Sequence, residues 1–338
     1  MKAIQITEQG KTQLIDTPKP ELKPGDVLLK IGYVGFCGSD LNTFRGLNPL
    51  VKLPVIPGHE IGAVIEAVGH QVPADLKRGM HATVNPYTSC GRCTACRNSR
   101  PNACAFNQTL GVQRDGAMAE FLVVPWEKVI ADDSLSVRDF ALVEPMSVGF
   151  HAVSRATVTD SDTVLVLGCG MIGVGAIVRA ALRGAKVIAV DVSHQKLGLA
   201  KRLGATYTID SSREDLHERV AEMTHGCGAD VVIEAVGRPE TYTASISEVA
   251  FTGRVVYIGY AKEQIFFETS CFVKKELDIR GARNALPADF KAVMEYLKRG
   301  TCPIDELITA IHMPEEAQAA LENWAAHPGE VFRILVRF

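Results

Sequence analysis

The chain has 338 residues, 47% of them apolar and 22% charged, with a net charge of −3. These are globular values: they exclude an intrinsically disordered chain and give no electrostatic reason to expect a nucleic-acid partner. One hydrophobic core rarely serves so many residues, so two domains are expected. Residues 1–8 are too polar for a secretory leader and no apolar run reaches membrane-spanning length without a charge, so a cytoplasmic protein without a membrane partner is expected. Its nine cysteines then read as metal ligands and buried thiols rather than disulfides, with Cys169, Cys227, Cys271 and Cys302 left as packing residues.

In chain order, residues 1–145 carry short alternating segments such as 27–34 and 61–68, broken by Pro24-Gly25, Pro57-Gly58 and Pro73, the pattern of a β-rich domain with long loops. Cys37 and His59-Glu60 lie in this stretch and Glu144 at its end. Together Cys37, His59 and Glu144 could form an open zinc site with Glu60 as a nearby or exchanging ligand. Each also has a plainer reading, as a small core thiol, a turn histidine or a solvated carboxylate. Spacing alone does not show that they converge. The segment Cys90-Gly-Arg-Cys93-Thr-Ala-Cys96, closed by Cys104, is more specific. Two C-x-x-C steps sharing a cysteine, with a fourth eight residues on, predict four thiolates about 2.3 Å from one zinc. With no open position, that site is structural.

From residue 163 the pattern changes to apolar strand-like runs, 164–167, 186–190, 230–235 and 254–258, alternating with helical ones, which predicts a parallel sheet wrapped by helices. The run 164–167 enters Gly168-Cys169-Gly170-Met171-Ile172-Gly173 and then an apolar helical pattern. In that context the glycines read as a tight turn, a close approach to a pyrophosphate and close helix–strand packing, with the helix start facing the phosphates. The next apolar run ends at Asp191, where a carboxylate suits the ribose hydroxyls of an adenosine lacking a 2′-phosphate, favouring NAD over NADP. Helices over 287–299 and 314–326 and a final strand over 331–336 complete the expected elements.

These motifs together resemble the zinc-dependent medium-chain dehydrogenases of the alcohol and polyol family. The carriers are Cys37-Gly-Ser39-Asp40, Gly58-His59-Glu60 followed by Gly69, the four lobe cysteines, Glu144-Pro145, and the glycine loop with Asp191, covering essentially the whole chain. The resemblance implies an α/β protein with a GroES-like β-rich catalytic domain over 1–148, including the lobe at 90–104, a Rossmann doubly wound domain over 149–285, and a segment over 286–338 returning to the catalytic domain. It implies two zincs per chain: a catalytic one at Cys37, His59 and Glu144, with Glu60 in some members or states, and a structural one at Cys90, Cys93, Cys96 and Cys104.

The implied activity is transfer of a hydride from a secondary alcohol to NAD, with Ser39 taking the alcohol proton and Asp40 orienting His59. Lys196 is expected at the adenosine ribose, and Arg283 with Asn284 near cofactor or substrate oxygens. Glutamate at 144, where classical alcohol dehydrogenases place cysteine, points to polyol, sugar or sugar-acid substrates. Residues 274–285 further resemble sugar-acid members such as the L-galactonate dehydrogenases. Two departures are Asn42, where the family's proton-relay histidine usually stands, and Ala63 in place of a glycine. Alternatives on the same scaffold are a threonine or small-diol dehydrogenase and a catalytically silent nucleotide-binding protein. A zinc-free NADPH-dependent reductase would lack both the lobe and Asp191. Arg45 and Arg114 are conceivable partners for a substrate carboxylate or phosphate. A homo-oligomer, dimer or tetramer, is expected.

Overall fold

A computed structural model describes residues 1–338 in two units, Met1–Pro145 with Leu286–Phe338, and Met146–Ala285. The chain passes from the first to the second near the start of helix Val143–Ala156. No helix is long and apolar enough to cross a membrane.

The first unit is built on strand Asp26–Phe36, whose Val27, Leu29, Ile31 and Val34 are buried. It pairs antiparallel with Glu60–Val68, Phe121–Pro125 and Ile334–Arg337. Alternation of apolar and polar residues commits one face of such strands to a core. That core takes in Ile61, Ala63 and Ile65, together with Ala317, Leu321 and Trp324 of helix Ala317–Ala326. Ala63 is fully buried, so the family's glycine is not needed there.

The second unit holds six parallel strands in the spatial order Tyr207–Asp210, Lys186–Asp191, Thr163–Leu167, Ala229–Glu234, Val249–Tyr257 and Asp278–Gly281. Counted within the unit this order is 3-2-1-4-5-6, the doubly wound arrangement whose ligand crevice opens at the carboxyl ends of strands 1 and 4. The near-continuous Val, Ile and Leu runs of these strands match burial on both faces.

Several expected boundaries move. The strand expected over 254–258 begins at Val249, and the last strand begins at Ile334 rather than at 331. Before it, Phe332 N donates to Thr309 Oγ1 and Thr309 N to Arg333 O, so these residues bond to a loop. The helix expected from 314 opens as a 3-10 turn, Pro314–Glu316, before Ala317–Ala326. Cys227 is exposed, not packed, because Gly226 and Gly228 at positive φ turn it outward at a strand entry.

Helix Pro287–Leu297 is tied back to the first unit's sheet by Lys298, which lies 2.5 Å from Asp132 and 2.8 Å from Glu295. The Lys298 hydrogen bond, with help from Ser134, lowers Asp132 to about 2. A carboxylate depressed in the folded state adds stability above its unfolded value near 4, and that stability disappears as pH falls toward 2. Lys298→Met is therefore expected to cost about 0.5 kcal/mol at pH 7, the small value reflecting a partly solvated pair. In urea melts the gap from wild type should narrow between pH 4 and 2; a constant gap would assign the loss to packing.

Candidate metal and nucleotide sites

Strand Asp26–Phe36 ends at Cys37, which opens helix Gly38–Phe44, and its antiparallel register sets Gly35 opposite Glu60. That register brings Cys37, His59 and Glu60 together, with one ligand atom of each within 4.8 Å of the others. Gly35 is required there: a Cβ would lie 2.1 Å from Glu60 Oε2 and 3.2 Å from Arg333 Cδ. Glu60 is fully buried and His59 is 6% exposed.

Few partners satisfy these groups. His59 Nδ1, both Glu60 oxygens, Ser39 Oγ and Asp40 Oδ1 are buried without a hydrogen-bond partner. Arg333 Nη1 donates to Phe36 O and lies 3.0 Å from Glu60 Oε1 as an ion pair without hydrogen-bond alignment. Orphaned buried donors and acceptors are costly, and a cluster of thiol, imidazole and carboxylate is a zinc donor set. The residues fit a metal ion.

Burial opposes the thiolate of Cys37, but its hydrogen bond and charge contact with His59 prevail and lower it. The same pair raises His59 well above its usual value against burial. Burial raises Glu60 strongly, with Arg333 opposing and the negative Cys37 and Glu144 adding to the rise. Asp40, expected to orient His59, makes no hydrogen bond to it. Its Oδ2 accepts from Cys37 N at 2.8 Å, fixing the helix start, and it acts on His59 through charge.

Glu144 stands in the first turn of helix Val143–Ala156, near enough to influence His59 and Glu60, and its Oε1 accepts a hydrogen bond from buried Tyr87 Oη. The close group of ligand atoms comprises Cys37, His59 and Glu60, with Glu144 beside it. Tyr87 and Arg333 escape sequence reasoning. Arg333 left a signal, a lone charge within the apolar run 331–336. Tyr87 left none.

Cys90, Cys93, Cys96 and Cys104 form the second group, each ligand atom within 4.8 Å of the others and none in a disulfide. Cys93 Sγ lies 3.6 Å from Cys96 Sγ and 3.8 Å from Cys104 Sγ. A tetrahedron with bonds of about 2.3 Å has edges of about 3.8 Å, so the spacing fits a zinc ion. Hydrogen bonds from Cys96 N and Ala105 N lower Cys93 to about 6, while burial and then the neighbouring sulfurs push Cys96 up to about 11, so a metal binding there displaces a proton.

In the second unit Gly168, at φ +94°, turns strand Thr163–Leu167 into helix Met171–Leu182. A Cβ on Gly173 would lie 1.8 Å from Gly168 O, so only glycine allows that helix its place. A Cβ on Gly170 would meet nothing within 4 Å, leaving open the cradle that a pyrophosphate needs. Met171 and Ile172 supply the first helical positions, and Cys169 is buried, which pushes its thiol up and makes it inert. Asp191 Oδ2 accepts from Cys169 N at 2.7 Å and Oδ1 from Ser193 N at 2.9 Å, bracing both loops of the crevice. Lys196 lies in the first turn of helix His194–Arg202, and Arg283 is half-buried after the last strand.

Residues 23–133 match the alcohol dehydrogenase GroES-like domain and residues 172–299 the zinc-binding dehydrogenase domain. Among curated relatives, L-galactonate-5-dehydrogenase of Escherichia coli K12 is 35% identical over 85% of this chain and 84% of its own. Sorbitol dehydrogenase of Bacillus subtilis 168 is 31% identical over 99% and 97%. Among solved structures, an alcohol dehydrogenase of E. coli CFT073 in complex with NADH superposes with a TM-score of 0.92 at 29% identity, covering 100% of this chain and 99% of that one. A zinc-binding dehydrogenase of Sinorhizobium meliloti 1021 bound to NADP gives 0.92 at 31% identity with the same coverage.

Proposed function

Since the chain belongs to the zinc-type medium-chain alcohol and polyol dehydrogenases, whose activity is NAD(P)-dependent oxidation of an alcohol, we propose that it oxidises a secondary alcohol of a polyol, sugar or sugar acid to the ketone with NAD. The observation that carries this reading is the buried Cys37–His59–Glu60 group with its orphaned polar atoms, beside Glu144. In this reading Cys37, His59 and Glu144 hold the catalytic zinc, Glu60 joins or leaves them, and the four lobe cysteines hold a structural one. Zinc, when bound, supplies Lewis acidity that lets an alcohol ionise near neutral pH, as it does for water.

The chain's own residues do the rest. Ser39 Oγ, buried without a partner, is suited to hold the alcohol's proton, and Asn42 cannot titrate to pass it onward. Tyr87 fixes one oxygen of Glu144 and Arg333 steadies Glu60. On the nucleotide side Gly170 admits the pyrophosphate, and Asp191 offers its remaining lone pairs to the adenosine ribose while Lys196 and Arg283 flank the cofactor. The sugar-acid relative at 35% identity and the sorbitol dehydrogenase support the substrate class.

Reduction of NAD by a panel of polyols, aldonates, sugar phosphates, threonine and butanediol, on protein with two zincs per chain, tests the reading. Turnover restricted to threonine or the diol would replace the substrate class, and no turnover at all would overturn the enzyme. Asp191→Asn tests the cofactor. A neutral side chain no longer repels a 2′-phosphate and loses a charged acceptor worth about 1.5–3 kcal/mol. The NAD over NADP ratio of kcat/KM should therefore fall by roughly tenfold or more. An unchanged ratio would leave Asp191 as a brace for the loops alone.

A further inference from the structure

The two arginines singled out in the sequence have different fates. Arg45 donates to the Ala325 carbonyl and so ties two helices together. Arg114 has no such tie: it is half-buried, its Nε is sealed from solvent without a partner, and no carboxylate pairs with it. Burial weakens its hold on its proton. Its neighbour in charge is another cation, Lys128, lowered first by burial and then by Arg114, with Glu127 pulling the other way but forming no ion pair. A half-buried guanidinium with a sealed, partnerless Nε and no counter-carboxylate is an unfavourable arrangement unless an anion joins it.

The loop bearing Arg114 is stapled to the segments that hold the metal-site residues. Gly116 N donates to Ile56 O at 2.7 Å and Ala117 N to Gly58 O at 2.9 Å, while Ile56 N donates to Asp115 Oδ1 at 2.9 Å, so 115–117 run beside the residues leading into His59. Leu110 N donates to Pro86 O at 3.1 Å, and Gly111 N to Arg114 O at 2.8 Å closes the loop. Lys128 Nζ donates to Tyr87 O at 2.7 Å, on the residue whose hydroxyl meets Glu144. Both cations are therefore built onto the backbone that frames the metal site.

We propose that Arg114, assisted by Lys128, is the subsite for an anionic terminus, carboxylate or phosphate monoester, of a polyhydroxylated substrate. The proposal rests on the reading of the chain as an alcohol dehydrogenase and narrows its substrate class. A guanidinium presents a planar fork that pairs two oxygens of either anion. A neutral alditol would leave the Arg114 charge unpaired, so the subsite discriminates against the analogue lacking the charge.

The test uses matched pairs, galactonate with galactitol and sorbitol 6-phosphate with sorbitol, in NAD reduction by wild type, Arg114→Gln and Arg114→Lys. Wild type should favour the anionic member of one pair, which identifies the carboxylate or the phosphate as the source. Arg114→Gln should raise KM for that anion tenfold or more while kcat/KM for the neutral member stays within twofold, and Arg114→Lys should recover part of the loss. Equal losses for both members, or a wild-type preference for the neutral member of both pairs, would overturn the subsite. Phenylglyoxal labelling read by peptide mapping gives a second readout independent of turnover. If no substrate reduces NAD, the broader reading fails by itself; protection of Arg114 by galactonate or sorbitol 6-phosphate then still upholds the anion site, and equal labelling with and without them sinks it.

Discussion

On the proposed reading of two zincs per chain, His59→Ala is expected to remove one of them and to lower kcat/KM by on the order of 10³-fold or more, the loss of about 4 kcal/mol of Lewis-acid stabilisation. The imidazole is central to the group: it contacts Cys37, lowers that thiol, and carries a buried Nδ1 that nothing in the protein satisfies. Without it Glu144 is left with a thiol at Cys37 and a carboxyl at Glu60 whose burial favours their neutral forms, a poor donor set for a dication. The fold should survive, because His59 supplies no bond that the strand Glu60–Val68 needs and the lobe and the glycine loop are untouched. Metal analysis, NAD titration by fluorescence and steady-state rates on one preparation check all three statements. Two retained zincs with near wild-type turnover would move the chemistry elsewhere; a loss of NAD affinity equal to the loss of rate would mean general damage.

The parts of this site differ in how far the sequence reveals them, and the difference follows sequence separation. The lobe and the glycine loop are local: Cys90 to Cys104 and Gly168 to Gly173 each close within one short segment, so spacing encodes geometry. Cys37, His59 and Glu60 meet, with Glu144 beside them, only because Gly35 pairs with Glu60 in one register and the helix from Val143 begins where it does. No spacing rule carries that, and resemblance to a family supplied it. Arg333 is more distant still, brought to Glu60 by the last strand of the chain, and Tyr87 is set by the loop before Cys90. Asp40, expected to orient His59, acts on it through charge without a hydrogen bond, since a carboxylate three residues into a helix finds the backbone N–H at the helix start first. Cys227 shows the converse limit: thiols are commonly buried, but two flanking glycines at positive φ outweigh that tendency.

Cys93→Ser should act on stability before chemistry. Cys93 is the shared cysteine of the two C-x-x-C steps, and its sulfur lies against both Cys96 and Cys104. Serine keeps the volume but presents a protonated hydroxyl that hardly ligates zinc, leaving three thiols around an incomplete tetrahedron. Little else holds the lobe: its helix is the single turn Thr94–Arg97, and Cys90, Cys93 and Phe106 direct their backbone N–H groups at sulfur atoms. Structural zinc commonly supplies about 10–16 kcal/mol in small folds, but only the lobe depends on it here, so a loss of ~3 kcal/mol, or roughly 5–10 °C in melting midpoint, is expected. The chemical step should weaken less and by a specific route. Tyr87, three residues before Cys90, holds Glu144, so loosening the lobe frees that carboxylate and reaches the metal site through one hydrogen bond. Tyr87→Phe isolates that route: it should reproduce the modest fall in rate while the melting midpoint stays near wild type. A Cys93→Ser protein that melts normally and binds NAD yet transfers no hydride would reverse the assignment and put the lobe in the chemistry.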